Sequence, residues 1–182
     1  FRVAGDGPPV VLLHQSPRSS AELVPLMQVL ARHFLVIAPD TPGYGQSDGP
    51  LEQLSIADYA DAHAVVIDAM DLGEIDVLGV HTGSRIAVEF ARQHRNQVKN
   101  VILVGAAVYT DEERTHQRGW TSDGLAPTEN SDGSHLRKIW DNWAQYRGPG
   151  VTDAMIERYV SDTLRQRDTA GFAIHAVFDH DM

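Results

Sequence analysis

The sequence predicts an α/β fold built on a mostly parallel sheet. Short, continuous apolar runs recur along roughly the first 110 residues, and segments with helical apolar spacing separate them. Glycine, proline and polar clusters punctuate the junctions. Strands joined by helices rather than by tight turns are parallel neighbours, and such crossovers are right-handed.

Val10 to Leu13 follow Gly7-Pro8-Pro9 and are apolar throughout, which reads as an interior strand buried on both faces. After the loop His14-Gln15-Ser16-Pro17, Leu23, Leu26, Met27 and Leu30 lie at helical spacing. A second strand is expected over 34–38, ending in Pro39-Asp40 and a turn through Gly43 and Gly45. Ser55 followed by Asp58 marks a helix start. Behind it Ile56, Tyr59, Ala60, Val66, Ile67 and Met70 form an apolar stripe that stops near Gly73. Strands are expected at 75–80 and 101–104, with a helix between them carrying Ile86, Ala87, Phe90 and Ala91 on one face.

After about residue 110 the composition changes. The stretch 110–134 reads as a polar, mobile connection, and Asp111, Glu112 and Glu113 as a solvated loop start. Helical segments follow around Leu136, Ile139, Trp140 and Trp143, around Met155 to Val160, and around Phe172 to Phe178. The expected division is a core over 1–110 and a helical insertion over 111–182.

Composition narrows the function classes. Hydrophobic residues at 42% and charged residues at 22% suit an ordinary globular chain. Acidic residues outnumber basic ones by 25 to 15, which disfavours nucleic acid and anionic membrane surfaces as partners. With no cysteine, thiolate chemistry and thiolate metal sites are excluded. No His/Asp/Glu group has metal-ligand spacing, so no metal is expected. No export signal or long apolar span is visible, and a cytoplasmic location is the expectation. The chain opens at Phe1, inside a pattern, which reads as a fragment of a longer protein.

The chemistry concentrates at Gly79-Val80-His81-Thr82-Gly83, between the third run and its helix. A G-x-S-x-G segment in this place is a nucleophile elbow. The strand turns sharply into the helix and holds its central side chain above the sheet, and glycines flank it because side chains there would strike neighbouring backbone. The central residue also sits at the positive end of the helix dipole.

On these residues the chain resembles the α/β-hydrolase fold superfamily, of the capped type found in epoxide hydrolases, dehalogenases and esterases. His14-Gln15-Ser16-Pro17 is similar to the family's His-Gly-x-Pro oxyanion loop, and Asp40 to Ser47 to its D-x-x-G-x-G-x-S turn. The resemblance implies strands three to six of that fold, a helical cap, no cofactor, and later strands that carry the acid and general-base histidine beyond Met182.

His81 departs from the pattern, because relatives carry Ser, Asp or Cys there. An imidazole can serve as nucleophile, as general base, or only as a hydrogen-bonding group. The resemblance assigns the Thr82 backbone N–H, and that of Gln15 or Ser16, to an oxyanion hole. His81, Gln15 and Thr82 are therefore the catalytic candidates, and His14, Ser16, Trp140 and Trp143 the substrate-binding ones. Structural readings stand beside them. His14 can brace its loop, Asp40 its turn, and His63 the edge of the core. Ser84 can pack under the elbow, and the two tryptophans can pack helices.

The expected activity is hydrolysis of a small, largely apolar ester or related substrate. The alternatives are a ligand-binding member without chemistry, or a lyase-like one using His81 as a base. The acidic surface suits a neutral substrate better than a phosphorylated one. A homodimer is left open.

Overall fold

A computed structural model describes residues 1–50, 52–118 and 126–181. Five strands form one sheet in the order β1-β3-β2-β4-β5: β1 (Arg2–Ala4), β2 (Pro9–Leu13), β3 (Leu35–Ala38), β4 (Ile75–Val80) and β5 (Val98–Val104). The four expected strands pair in parallel: β2 with β3, β2 with β4, and β4 with β5. β1 is an addition. It runs antiparallel to β3, pairing Arg2 with Ala38 and Ala4 with Val36.

Alternation along the strands builds two apolar layers. Val10, Leu12, Val36 and Ala38 face a 3-10 turn (Ser20–Leu23) and α1 (Val24–Leu30), through Leu23 and Met27. Val11, Leu13, Ile37, Ile75 and Val77 face the opposite way, onto α2 (Ile56–Ala69) and α3 (Thr82–Gln93). A reciprocal capping box starts α2: the Ser55 N–H donates to the Asp58 carboxylate at 2.9 Å, and the Asp58 N–H to Ser55 Oγ at 3.2 Å. β5 is the outer strand, and Val101 to Val104 are all exposed.

Four helices follow: α4 (Asp111–Gln117), α5 (Ser134–Ala144), α6 (Asp153–Arg165) and α7 (Phe172–Asp179). The expected loop at Asp111, Glu112 and Glu113 is instead the first turn of α4. Thr110 caps it through a second capping box with Glu113, and three acidic residues sit well at a helix N-terminus. Residues 119–125 of the expected connection lie outside the described residues. α5 and α6 make their own cluster from Ile139, Trp143, Ile156 and Tyr159. α7 joins the main core instead, through Ala173 and Ala176.

Polar ties bind α6 and the segment after it to the loops above the sheet. Ser19 Oγ donates to Asp162 at 2.8 Å, and Arg158 to the Ala21 carbonyl at 3.1 Å. Burial pushes the Asp162 carboxyl above the usual carboxylate range. The Gln166 amide donates to the Pro17 carbonyl and accepts from the Gly45 N–H. Tyr44 donates to the Thr169 carbonyl at 2.9 Å and accepts the Ala173 N–H at 3.0 Å.

His63 on α2 is buried, with Nε2 3.3 Å from Thr41 Oγ1, and burial lowers its pKa to about 3. The unfolded chain therefore takes up a proton near pH 6.5 that the folded protein refuses. Stability is expected to fall as pH drops below about 6.5, before the carboxylates titrate. Urea midpoints between about pH 6.5 and 4.5 should decline in the wild type and stay level in His63→Gln. Parallel slopes would assign the acid limb to other groups.

Candidate active site

β2 lies between β3 and β4, so the chain leaves β2 toward one side and later returns on the other. The crevice beyond the carboxyl ends of β2 and β4 is thus a topological switch point, where ligands bind in open α/β sheets. The two loops that meet there are 14–18 and the β4–α3 elbow.

His14 leaves β2 buried, with 1% of its surface exposed. Its Nε2 accepts the Thr41 N–H at 3.0 Å, so its proton sits on Nδ1, facing the Gln15 carbonyl at 2.9 Å. His14 does not border the cavity. The expected substrate contact gives way to a bracing role, because both ring nitrogens are already committed to backbone. Asp40 anchors the adjacent turn, accepting from Ser20 N–H at 2.7 Å and Gln46 N–H at 3.1 Å. Burial raises its pKa, but these hydrogen bonds outweigh it and leave the carboxyl below its usual value.

Gln15 is held twice by Glu22: its backbone N–H donates to Oε1 at 2.9 Å and its side-chain amide to Oε2 at 3.1 Å. Its N–H is therefore committed to a carboxylate rather than free for an oxyanion, which corrects the expectation for that donor. The Ser16 N–H has no protein acceptor among the described residues.

At the elbow β4 stops at Val80 and His81 turns with φ 48° and ψ −108°. A non-glycine residue in this region carries strain, of the kind that collects at functional sites. The glycines fit closely. A Cβ on Gly79 would lie 2.6 Å from Ser84 Cα, and one on Gly83 would lie 2.8 Å from the His14 carbonyl oxygen. Ser84 packs beneath, donating to the carbonyls of Gly79 at 2.7 Å and Val104 at 3.0 Å. The exposed His81 ring stands over Gly105, where a Cβ would come within 2.8 Å of Nδ1.

His81 borders a cavity of about 680 Å³ together with Gln15, Ser16, Arg18, Trp143 and Tyr159. It also borders a smaller space of about 120 Å³, shared with Thr82, Arg85 and Tyr109. Thr82 is buried and reaches only this smaller space. Trp140 packs half-buried against the α5–α6 cluster and does not line either space. No carboxylate lines the large cavity among the described residues. Asp111 pairs with Arg114 on the surface. Arg18, Glu22 and Tyr159 are additions to the sequence-based set, and the i,i+4 spacing of Arg18 and Glu22 was the signal that could have flagged two of them.

A family model described as the alpha/beta hydrolase fold matches residues 8–166, which takes in both loops. The chain belongs to the α/β-hydrolase fold family. A 2-hydroxy-6-oxo-2,4-heptadienoate hydrolase of Pseudomonas putida is 30% identical over 166 residues, covering 87% of this chain and 57% of that one. An uncharacterized protein of Mycobacterium tuberculosis is 36% identical over 110 residues, 60% of this chain and 32% of its own. The chain thus spans from about a third to somewhat over half of these relatives. Among solved structures, an esterase from Exiguobacterium antarcticum superposes with a TM-score of 0.77 at 22% identity, covering 99% of this chain and 69% of that one. An E-2-(acetamidomethylene)succinate hydrolase gives 0.74 at 23%, with 99% and 69% covered. At these identities the superpositions concern the fold alone. Within the described residues of this α/β-hydrolase-fold chain, no helix is long and apolar enough to cross a membrane.

Proposed function

We propose that this protein hydrolyses a small ester or a related bond in a largely apolar substrate, with His81 acting at the elbow. One observation carries the reading. The His81 ring, on a strained backbone, stands exposed and borders a cavity at the switch point of the sheet, which the Ser16 N–H, without a protein acceptor among the described residues, also borders. Several relatives bear hydrolase names, which supports the reaction class. The helices over 111–182 would serve as the cap, with Trp143 and Tyr159 as its apolar wall.

In this scheme the ester carbonyl oxygen takes a hydrogen bond from the Ser16 N–H as negative charge develops on it. A ring nitrogen of His81 attacks the carbonyl carbon, and the tetrahedral adduct expels the alkoxide, which leaves as the alcohol by taking a proton from solvent while the ring N–H releases one to it. Water then cleaves the acyl-imidazole to acid and free His81. If His81 acts as a base instead, it takes the proton of an attacking water and no acyl-enzyme forms. The lack of any carboxylate among the described lining residues favours a second reading, a ligand-binding protein without turnover.

Incubation with an activated ester, followed by peptide mass spectrometry, separates these cases. An acyl group on the peptide containing residues 79–85, with turnover, is the expected result. Turnover without an adduct would make His81 a base, and neither adduct nor turnover across an ester series would overturn the hydrolase reading.

A further inference from the structure

The cavity carries a charge pattern opposite to that of the chain. The protein has 25 acidic against 15 basic residues, yet among the described residues lining the large cavity there is one cation, Arg18, and no Asp or Glu. The other polar lining groups include hydrogen-bond donors: the amides of Gln15, Gln117 and Asn142 and the Tyr146 hydroxyl.

Arg18 is held in a defined pose. Its guanidinium carbon lies 3.6 Å from the Tyr159 ring centroid and 4.8 Å from that of Trp143. These contacts with the ring faces are electrostatic and use none of the N–H groups' hydrogen-bonding capacity. Of the five N–H donors such a group carries, the only hydrogen bond among the described residues runs from Nη1 to Glu22, at 3.1 Å. Nε is buried with no partner. The side chain is only 16% exposed, so water satisfies these donors poorly. Glu22 does not line the cavity, and its oxygens also accept from the Gln15 backbone and amide. Its charge is thus drawn toward the loop, and the positive end of the pair faces the cavity.

We propose that the cavity takes a substrate with an apolar body and a carboxylate, and that Arg18 recognises that carboxylate. The planar fork suits a carboxylate better than a neutral oxygen, and Tyr159 and Trp143 hold it in position before the ligand arrives. The acidic surface then describes solubility, while the cavity describes the ligand. This deepens the proposed hydrolase reading and rests on the cavity being its substrate site.

The test is a matched pair of non-hydrolysable probes of nearly equal shape, benzoate and benzamide, followed by tryptophan fluorescence at neutral pH. Benzoate is expected to bind about 10-fold or more tightly than benzamide. Arg18→Gln should weaken benzoate by roughly 10- to 100-fold and benzamide by no more than about 3-fold. Arg18→Lys keeps the charge without the fork, and should recover part of the benzoate affinity while tolerating the Glu22 contact. It also serves if Arg18→Gln fails to fold. Equal binding of the two probes, or equal weakening of both in either variant, would overturn the proposal. Because no turnover is read, a protein that prefers benzoate but hydrolyses no ester would sink the hydrolase reading and leave this one standing.

Discussion

Replacing His81 by glycine is expected to slow turnover by about 10²–10⁴-fold while raising the unfolding midpoint. The two effects come from one feature. At φ 48° and ψ −108° the histidine backbone is strained by an amount on the order of 1–3 kcal/mol. Glycine relieves that strain and returns about 0.5–1 kcal/mol of it as chain entropy in the unfolded state. A net gain of about 1 kcal/mol would follow, which for a chain of this size is roughly 2–4 °C. His81→Ala removes the same ring but keeps the strained backbone, so it should lose rate without gaining stability. Initial rates on the best ester substrate and urea melts of all three proteins check this. An unchanged rate in both variants would remove His81 from the chemistry. A lower midpoint in the glycine variant would mean that the ring's contact with Gly105 stabilises more than the strain costs.

The site was legible where a motif constrains backbone and obscure where it depends on a distant side chain. Gly79-x-His81-x-Gly83 has little steric freedom, so the sequence alone placed the imidazole above the sheet. Nothing local told that the Gln15 N–H would meet the Glu22 carboxylate, because that contact needs the turn after Ser19 to fold the chain back. His14 misled for a similar reason. Its partner Thr41 lies 27 residues away in sequence, on the loop beyond β3, and commits the ring to backbone. Arg18 acquires its surroundings from Trp143 and Tyr159, more than a hundred residues on.

The fold shows the same division. β2, β3 and β4 are apolar over most of their length and announce themselves. β1 is three residues long, carries Arg2, and gains its strand pairing only from β3, so no periodic pattern marks it. β5 begins at Val98 rather than 101, because Lys99 and Asn100 lie on an exposed edge where polar residues are tolerated. α4 was legible in principle: Thr110 and Glu113 form the same box as Ser55 and Asp58, but no apolar stripe follows it, and none of its residues is buried. Its stability comes from the cap and from pairs such as Arg114 with Asp181, at 2.7 Å.

Gly83→Ala is expected to be strongly destabilising, costing about 3 kcal/mol. Gly83 lies in the first turn of α3, directly against the carboxyl end of β2. A Cβ there would overlap the Leu13 carbonyl oxygen, and would sit 2.6 Å from the Leu13 carbonyl carbon and 2.8 Å from the His14 carbonyl oxygen. These are backbone atoms of a buried central strand, so no side chain can swing away to make room. The helix must move off the sheet, or β2 must give up pairing with β4, in which Leu13 is matched to Gly79. Either shift drags the loop from His14 to Ser16 away from the elbow, so the rate should fall together with the stability. Gly148→Ala is the control: nothing lies within 4 Å of its added Cβ, and it should change stability by no more than about 0.5 kcal/mol. A loss of 3 kcal/mol would be a large part of the ~5–15 kcal/mol typical of a folded domain. Urea denaturation of both variants decides the matter. A Gly83→Ala midpoint equal to that of Gly148→Ala would show that α3 and β2 can part without cost, and that the close fit at the elbow is not what holds the two loops together.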